Sequence, residues 1–171
     1  MSHVFKAVAT PVGKLTLIAS EKGLAAILWE NDKETRVPIK VETEENPNHP
    51  ILLKAEQQLK EYFCGKRKSF SIELDLQGTE FQKQVWQELL SIPFGETRSY
   101  GQIAQNIHRP KASRAVGAAN GRNPVSIVVP CHRVIGENGK LTGFAGGLEA
   151  KSKLLMLERA GREPITECSK I

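Results

Sequence analysis

Three short runs of β-prone residues open the chain, at Val4–Val8, Lys14–Ala19 and Leu24–Trp29. Two segments that contain glycine separate them, Pro11–Gly13 and Glu21–Gly23. Glycine and proline adopt the backbone angles that tight turns require, so both segments are good turn formers. The pattern predicts a small antiparallel meander of three strands.

A helical period replaces this pattern at Pro50, after a charged, proline-containing connection over residues 30–49. Its apolar positions share one face, and Gly65 ends the helix. These positions are Leu52, Leu53, Leu59, Tyr62 and Phe63. Residues Phe70–Leu76 then alternate strictly between apolar and polar side chains, which predicts a half-buried strand. Cys64 lies at the helix end beside basic residues, where we expect a partly exposed structural thiol.

Helical patterns dominate the second half of the chain. Two capping boxes mark helix starts, at Thr79–Gln82 and Ser99–Gln102. A third helix is predicted over Lys111–Asn120, where nearly every residue is small. A last helix is predicted from about Glu149 to Ala160, with Leu154, Leu155 and Leu157 buried.

The boundary between the two halves falls best at Gln77–Gly78. A chain of 171 residues can form one large domain or two small ones with a proper core. The order of elements predicts an α+β fold, with a scaffold domain over residues 1–77 and a mostly helical domain over residues 78–171.

Composition excludes several classes of protein. The chain is 40% hydrophobic and 25% charged, and no apolar run approaches the roughly 18 residues that span a bilayer, so we expect no membrane partner. Its first residues lack the apolar region of a signal peptide. Three distant cysteines, Cys64, Cys131 and Cys168, argue for the reducing cytoplasm and against a disulfide framework or a structural zinc site.

Positive charge is concentrated in one part of the chain. The segment from Arg98 to Arg133 contains six basic residues and no acidic one, which is typical of a surface that binds a polyanion. Two short helices and a tight turn in this segment predict a helix-turn-helix. The second helix lacks long polar side chains for reading base edges, but its small residues allow close approach to a groove. The alternative is a small-residue helix packed tightly against a neighbour.

An apolar run over Ser126–Ile135 carries a Cys-His pair directly after Pro130, and we expect a strand there. A thiol beside an imidazole and a guanidinium can become a reactive thiolate. The alternative is that Cys131 is a buried core cysteine. Glu158 lies in the final turn of the last helix, where the helix dipole disfavours a carboxylate, so we expect it to have a partner.

From Thr79 to Gly161 the chain resembles the O6-alkylguanine-DNA alkyltransferase family of the bacterial type, in motif order and spacing. The matching segments are Pro130–Val134, Gly121–Pro124, Thr142–Gly147, Ser99–Tyr100, Arg114–Gly117 and the helix that contains Phe81, Val85 and Trp86. The N-terminal half matches only in general plan, as the family's small ribonuclease H-like α/β domain.

The resemblance implies direct reversal of DNA damage by a monomer without a cofactor. The protein would bind double-stranded DNA through the minor groove, rotate O6-methylguanine out of the helix and move the alkyl group irreversibly onto Cys131. O4-methylthymine is a second expected substrate. His132 would act as the base through a water, with Glu158 orienting it. Asn123 would brace the turn beside the sulfur, and Tyr100 would donate a hydrogen bond to the leaving guanine.

The resemblance also implies binding residues. Arg114 would fill the gap left by the rotated nucleotide. The other expected DNA contacts are Ala115, Arg109, Lys111 and Arg122, and the expected pocket residues are Val134, Phe144 and Ala145. Ala145 stands where some relatives carry serine, so we expect a roomier pocket. The first domain lacks the cysteine and histidine set with which some relatives bind zinc, so we expect no metal.

Two other functions are open from the residues alone. A thiol amidase would need a cysteine and a histidine that meet in space, usually from distant positions, and an oxyanion site. A non-enzymatic binder, either a helix-turn-helix regulator or a relative that only flags lesions, would not need a reactive thiol. Lesion-flagging relatives lack the acceptor cysteine, and the presence of Cys131 disfavours that alternative.

Overall fold

A four-stranded sheet forms the N-terminal part of the computed structural model, which describes residues 3–33, 35–37, 39 and 43–160. The strands are β1 (His3–Thr10), β2 (Gly13–Ala19), β3 (Leu24–Trp29) and β4 (Thr43–Glu45), in the order β3-β2-β1-β4. The first three pair antiparallel, which confirms the predicted meander. The short β4 pairs parallel to β1 and lies in the charged connection over residues 30–49, where no strand was predicted.

Helix α1 (Pro50–Phe63) packs its apolar face on this sheet, with Leu52, Leu59 and Tyr62 fully buried. The prediction for Cys64 was wrong, because this thiol is buried. Cys64 caps the helix with helical backbone angles and so belongs to its last turn.

The predicted strand over Phe70–Leu76 is also wrong. This segment makes a single bridge, Leu24 to Leu74, beside β3. Upstream of the bridge, the side-chain amide of Gln58 bonds both backbone groups of Ser71, at 2.9 and 3.2 Å. A backbone amide and carbonyl that are already satisfied by a side chain are withdrawn from strand pairing.

The C-terminal part consists of helices α2 (Glu80–Leu90), α3 (Tyr100–Asn106), α4 (Ser113–Gly121) and α5 (Leu148–Ala160). Two short parallel strands, β5 (Arg98–Ser99) and β6 (Val134–Ile135), lie among them. Both predicted capping boxes are confirmed, with all four hydrogen bonds present. Helix α4 begins two residues later than predicted. Cys168 and the rest of the tail lie outside the described residues.

A continuous core joins the two parts and places one end of β3 beside the C-terminal half. The Ile27 amide donates to the Pro124 carbonyl at 2.8 Å, and Ile27 bridges Val125. On the other side, Trp86 of α2 donates through Nε1 to the Ala119 carbonyl of α4 at 2.9 Å. The first bond holds the segment after α4 against β3, and the second holds α4 against α2. No helix in the described part of the chain is long and apolar enough to cross a membrane.

Replacing Gly23 with alanine should lower the free energy of unfolding by about 1–3 kcal/mol, the usual cost of overpacking. An added Cβ would lie 2.5 Å from the Glu73 carbonyl oxygen, and the Leu24 amide holds that carbonyl at 2.7 Å. Urea unfolding measures the change. Gly121→Ala is the matched control, since its Cβ would meet nothing within 4 Å and alanine favours the helix. Equal effects of the two substitutions would contradict the close contact at Gly23.

Candidate active site

The backbone around Cys131 is a series of turns, so the predicted strand over Ser126–Ile135 was wrong. The amide of Val128 donates to the Ser126 carbonyl at 2.9 Å, and the Cys131 amide donates to the Val129 carbonyl at 2.8 Å. Each bond closes a three-residue γ-turn. Cys131–Arg133 then forms one turn of 3-10 helix, and strand β6 begins only after it.

Asn123 is the physical reason for these turns. Its Nδ2 donates to the Val129 carbonyl at 2.7 Å, and its Oδ1 accepts from the Val125 amide at 3.0 Å. A fully buried side chain thus satisfies backbone groups on both sides of the bend. Asn120 of α4 adds a weaker bond from Nδ2 to the Cys131 carbonyl, at 3.4 Å.

Ile127 sits at φ +75° inside this segment. A β-branched residue with positive φ costs on the order of 1–3 kcal/mol and persists only where the surroundings enforce it. Next to it, the hydroxyl of Ser126 is buried and accepts from Nε1 of Trp29 at 3.0 Å. Trp29, at the end of β3, therefore fixes the first of the two γ-turns.

Glu158 is the centre of a buried hydrogen-bond network behind Cys131. Its Oε2 lies 2.7 Å from Nε2 of His132, and the Tyr62 hydroxyl donates to the same oxygen at 2.6 Å. Arg133 donates to both carboxylate oxygens, at 2.7 and 3.0 Å. Its third donor reaches the Ile92 carbonyl at 2.7 Å. The prediction that Glu158 has a partner is confirmed, since three residues bond its carboxylate.

The protonation states in this network follow from burial and charge. Burial alone would raise the pKa of Glu158, but His132 and Arg133 bond the carboxylate and lower that pKa to about 2. Burial lowers the pKa of His132, although Glu158 opposes this. Burial and then the neighbouring carboxylate raise the pKa of Tyr62 well above its usual value. Near neutral pH the site therefore holds an ionised Glu158 and a neutral His132.

The tautomer of His132 follows from its partner. An ionised carboxylate can only accept, so Nε2 must carry the hydrogen. The other ring nitrogen, Nδ1, is then an acceptor; it is buried and has no partner among the described residues. A neutral imidazole with one nitrogen anchored and the other unpartnered can accept a proton.

The thiol of Cys131 is 4% exposed, and burial raises its pKa. Hydrogen bonds from Asn123 and Ser126 and the charges of Arg36 and Lys151 act in the opposite direction without cancelling the effect of burial. Near neutral pH the group is a thiol, because its pKa lies above the ordinary value. Reaction as a thiolate therefore requires a base.

Arg36 joins the N-terminal part to this site. It forms a bidentate ion pair with Asp32, with both N–O distances 2.6 Å. Its third nitrogen donates to the Asn123 carbonyl at 2.8 Å. The planar guanidinium thus positions a positive charge near the sulfur and supports the turn that Asn123 braces.

A cavity of about 580 Å³ opens beside the site, with the size of a small-molecule pocket. Its walls include Arg36, Gly117, Ala118, Phe144 and Ala145. The Phe144 ring packs edge-on against the indole that holds Ser126, with ring centres 5.3 Å apart. Phe144 in the cavity wall thus contacts Trp29, which bonds Ser126 beside the thiol of Cys131.

Helix α4 presents a basic, small-residue face beside this cavity. Arg114, Ala115, Ala118 and Gly121 are exposed along it, while Val116 and Ala119 face the core. Three more basic side chains, Arg109, Lys111 and Arg122, are exposed next to it. These four cations form no ion pair with any described residue, whereas Arg98 pairs with Glu96. The surface is therefore available to an anion.

Two family models match the chain. The DNA binding domain of 6-O-methylguanine DNA methyltransferase matches residues 80–160, and the ribonuclease-like domain of the same protein matches residues 4–76. The chain belongs to the 6-O-methylguanine DNA methyltransferase family. The resemblance found in the sequence is thus confirmed.

Individual relatives agree with this assignment. Proteins named methylated-DNA–protein-cysteine methyltransferase include one from Methanosarcina acetivorans, 53% identical over 151 residues, which are 87% of this chain and 94% of that one. Another, from Mycolicibacterium paratuberculosis, is 50% identical over 155 residues, or 91% and 92% of the two chains. The crystal structure of Mycobacterium tuberculosis OGT in complex with DNA matches with a TM-score of 0.85 and 43% identity, over 96% and 97% of the chains.

These comparisons confirm the α+β fold and the enzyme class, a methylated-DNA–protein-cysteine methyltransferase that acts in DNA repair. The domain boundary at residues 77 and 78 stays a prediction. So does the absence of a metal, although no three His, Cys, Asp or Glu side chains in the described ranges are grouped to hold one.

The structure brings together Cys131, His132, Glu158 and Asn123, which were predicted from the sequence. It places Phe144 and Ala145 at the cavity, but Val134 is fully buried and is not part of the cavity wall. Tyr100 is half-buried on α3, where its ring packs against Gly117 and its hydroxyl bonds Thr142.

Several residues of the candidate site were not predicted from the sequence. They are Tyr62, Arg133, Arg36, Ser126, Trp29, Thr142 and Lys151. Only Arg133 carried a signal, because it is a long cation directly after the Cys-His pair. The others act through contacts with segments that are distant in the sequence.

Replacing Glu158 with glutamine should destabilise the methyltransferase by about 3–5 kcal/mol at pH 7, since Arg133 would lose a buried partner. The pKa of Glu158 is lowered from 4.5 to about 2, so its stabilisation is complete above about 4.5 and is lost as pH falls towards 2. The amount is on the order of 3 kcal/mol. Urea unfolding of wild type and variant at pH 7, 5 and 3 measures both effects.

The control is Glu73→Gln, because Glu73 is exposed and its ion pair with Lys54 is 3.4 Å long. We expect this control to stay within about 0.5 kcal/mol of wild type. A Glu158→Gln protein that keeps the acid sensitivity of wild type would contradict the assignment of that sensitivity to Glu158.

Proposed function

We propose that this methyltransferase moves the methyl group of O6-methylguanine in duplex DNA onto Sγ of its own Cys131, once per molecule. The observation that carries this proposal is the buried thiol next to a neutral His132, whose anchored tautomer leaves Nδ1 as an acceptor. The relatives' name supports transfer from methylated DNA to a protein cysteine. The similarity to Mycobacterium tuberculosis OGT, whose crystal structure is a complex with DNA, supports DNA as the partner.

The proposed reaction is a displacement at the methyl carbon. His132 takes the thiol proton through Nδ1 and a bridging water, and Glu158 stabilises the imidazolium that forms. The sulfur of Cys131 then bonds the methyl carbon while the bond from carbon to O6 breaks. The electron pair stays on the guanine, where a hydrogen bond from Tyr100 meets the developing charge. The guanine anion then takes up a proton and the His132 imidazolium releases one, so the products are guanine and a thioether.

Single use follows from the chemistry of this product. A thioether has no acyl group that a water could hydrolyse, unlike the covalent intermediates of thiol hydrolases. The methylated Cys131 is therefore a dead end, and each chain repairs one base. The same displacement would act on O4-methylthymine, which presents a methyl group on an equivalent exocyclic oxygen.

We propose that α3 and α4 act as a helix-turn-helix that enters the minor groove. The exposed residues of α4 next to Arg114 are small, so the helix backbone can approach a narrow groove closely. Arg114 would occupy the space of the rotated nucleotide, and extrusion of that base costs a few kcal/mol. The further DNA contacts are Ala115, Arg109, Lys111 and Arg122. Binding of duplex DNA by one copy of the chain is part of this proposal.

The cavity beside α4 is the proposed base pocket. Its volume of about 580 Å³ accommodates a nucleobase, and Phe144 offers a flat apolar surface against it. Ala145 contributes only a methyl group to the wall, which leaves space for adducts larger than methyl. Val134 is fully buried outside the cavity wall, so its place in the pocket stays a prediction.

Incubation with an O6-methylguanine duplex should increase the intact mass of the protein by one CH₂ group, located on Cys131. The Cys131→Ala protein should show no gain, while Cys64→Ala should react like wild type because that thiol belongs to α1. Intact-mass and peptide mass spectrometry measure the transfer. Correctly folded wild type that binds the lesion without a mass gain would indicate a lesion-flagging protein. Repeated turnover per chain would instead support a hydrolase.

Ala145→Ser should narrow the substrate range. The added hydroxyl occupies space at the cavity wall, so transfer from an O6-benzyl adduct should slow relative to methyl by roughly ten-fold, the usual effect of a small change in pocket size. Single-turnover rates for both adducts in wild type and variant give the ratio. The Ala118→Ser protein adds the same hydroxyl at another wall position, so it is the control for a loss of cavity volume that is not specific to position 145. An unchanged ratio in Ala145→Ser would contradict the proposed pocket.

A further inference from the structure

Lys151 of α5 is a lysine without solvent exposure. Fully buried lysines are rare, because the ammonium must lose its hydration shell. Its Nζ donates to the Val134 carbonyl at 2.7 Å, and to the carbonyl and Oγ1 of Thr142, each at 3.4 Å. The three hydrogens of the ammonium thus have three acceptors, one of them on Val134, which closely follows Cys131 in the chain.

Thr142 connects this ammonium to Tyr100, because its Oγ1 also bonds the Tyr100 hydroxyl. An ammonium group has no lone pair and can only donate, so Oγ1 must accept from Lys151. Either hydroxyl can be the donor in the bond between Thr142 and Tyr100. The Lys151 ammonium occupies one lone pair of Oγ1, and its positive charge makes the Thr142 hydroxyl a better donor, which favours donation from Thr142 to the Tyr100 oxygen. The hydrogen of Tyr100 is then free to point elsewhere.

We propose that Lys151 and Thr142 are positioning residues that orient the hydroxyl hydrogen of Tyr100 toward the leaving guanine. This inference rests on the proposed function, in which Tyr100 donates to the base. One end of this chain of hydrogen bonds is a group that can only donate, which favours donation in the direction of Tyr100. Without Thr142, the phenol hydrogen would be free to rotate, and part of the donor's alignment would be lost before each transfer.

Electrostatics support the same direction. The charge of Lys151 interacts with Cys131, and the pKa of Lys151 is lowered by burial but raised by that interaction. A donor chain that begins at a positive charge is polarised along its length, which strengthens each hydrogen bond in it. The developing negative charge on the guanine would meet the end of this chain. Preorganised donors of this kind contribute strongly to transition-state stabilisation.

The test compares single-turnover methyl transfer from an O6-methylguanine duplex in Thr142→Val, Tyr100→Phe and the double variant. Valine has the shape of threonine without the hydroxyl. Thr142→Val should slow transfer about ten-fold where Tyr100 is present and less than about two-fold where it is phenylalanine, since coupled residues are not additive. Thr142→Ser should restore the rate. Affinity for the duplex, measured in the Cys131→Ala background, should be unchanged.

Each result decides between the possibilities. Equal slowing of methyl transfer by Thr142→Val in both backgrounds, or no slowing in either, would overturn the proposal that Lys151 and Thr142 orient the Tyr100 hydroxyl. So would a Tyr100→Phe protein as fast as wild type, since there would be no donor to orient. If wild type itself transferred no methyl group to Cys131, the proposed function would be wrong. The inference about Lys151 and Thr142, which rests on it, would then be wrong as well.

Discussion

One carboxylate holds the candidate site together. Glu158 accepts from His132, from two nitrogens of Arg133 and from Tyr62, and all four groups are buried. A buried ion pair is stable only when its remaining donors and acceptors are also satisfied. Here the third donor of Arg133 binds the Ile92 carbonyl, so every charge in the network has a partner. The network joins α1, the turn after α2, the Cys-His turn and α5. The N-terminal part is therefore a structural component of the site, although it carries no predicted catalytic residue.

The segment that ends at Cys131 also depends on the N-terminal part, because β3 and the loop after it bond to this segment. Trp29 fixes the Ser126 hydroxyl, and Arg36 fixes the Asn123 carbonyl. Ile127, directly after the anchored Ser126, keeps a positive φ. The unfavourable backbone angle is maintained because contacts from the other half of the chain leave that segment no relaxed alternative. The position of the sulfur therefore depends on residues roughly one hundred positions earlier.

Local signals explain what could be predicted. Capping boxes, the β meander and the poor placement of Glu158 on its helix are properties of a few adjacent residues, and each led to the observed structure. The strand predicted around Cys131 failed because Asn123 and Trp29 bond its backbone and side chains from outside the run. Tyr62 showed only as one apolar position on α1, and nothing local indicates that its hydroxyl reaches Glu158, 96 positions later. Long-range hydrogen bonds of this kind leave no periodicity to detect.

In the proposed reaction, burial of Cys131 limits unwanted alkylation of its thiol. A thiol whose pKa is raised reacts slowly with small electrophiles, because the thiolate is the nucleophile. An enzyme that turns over can tolerate an exposed, permanently ionised cysteine, but a chain that is consumed by one reaction loses its function with every accidental alkylation. In this site the base is already anchored by Glu158, and its accepting nitrogen is buried with the thiol. In the proposed reaction, proton transfer follows the binding of a nucleobase that fills the cavity and excludes bulk water. Under the proposed function, the raised pKa of Cys131 and the neutral His132 together keep the thiol protonated until a nucleobase is bound.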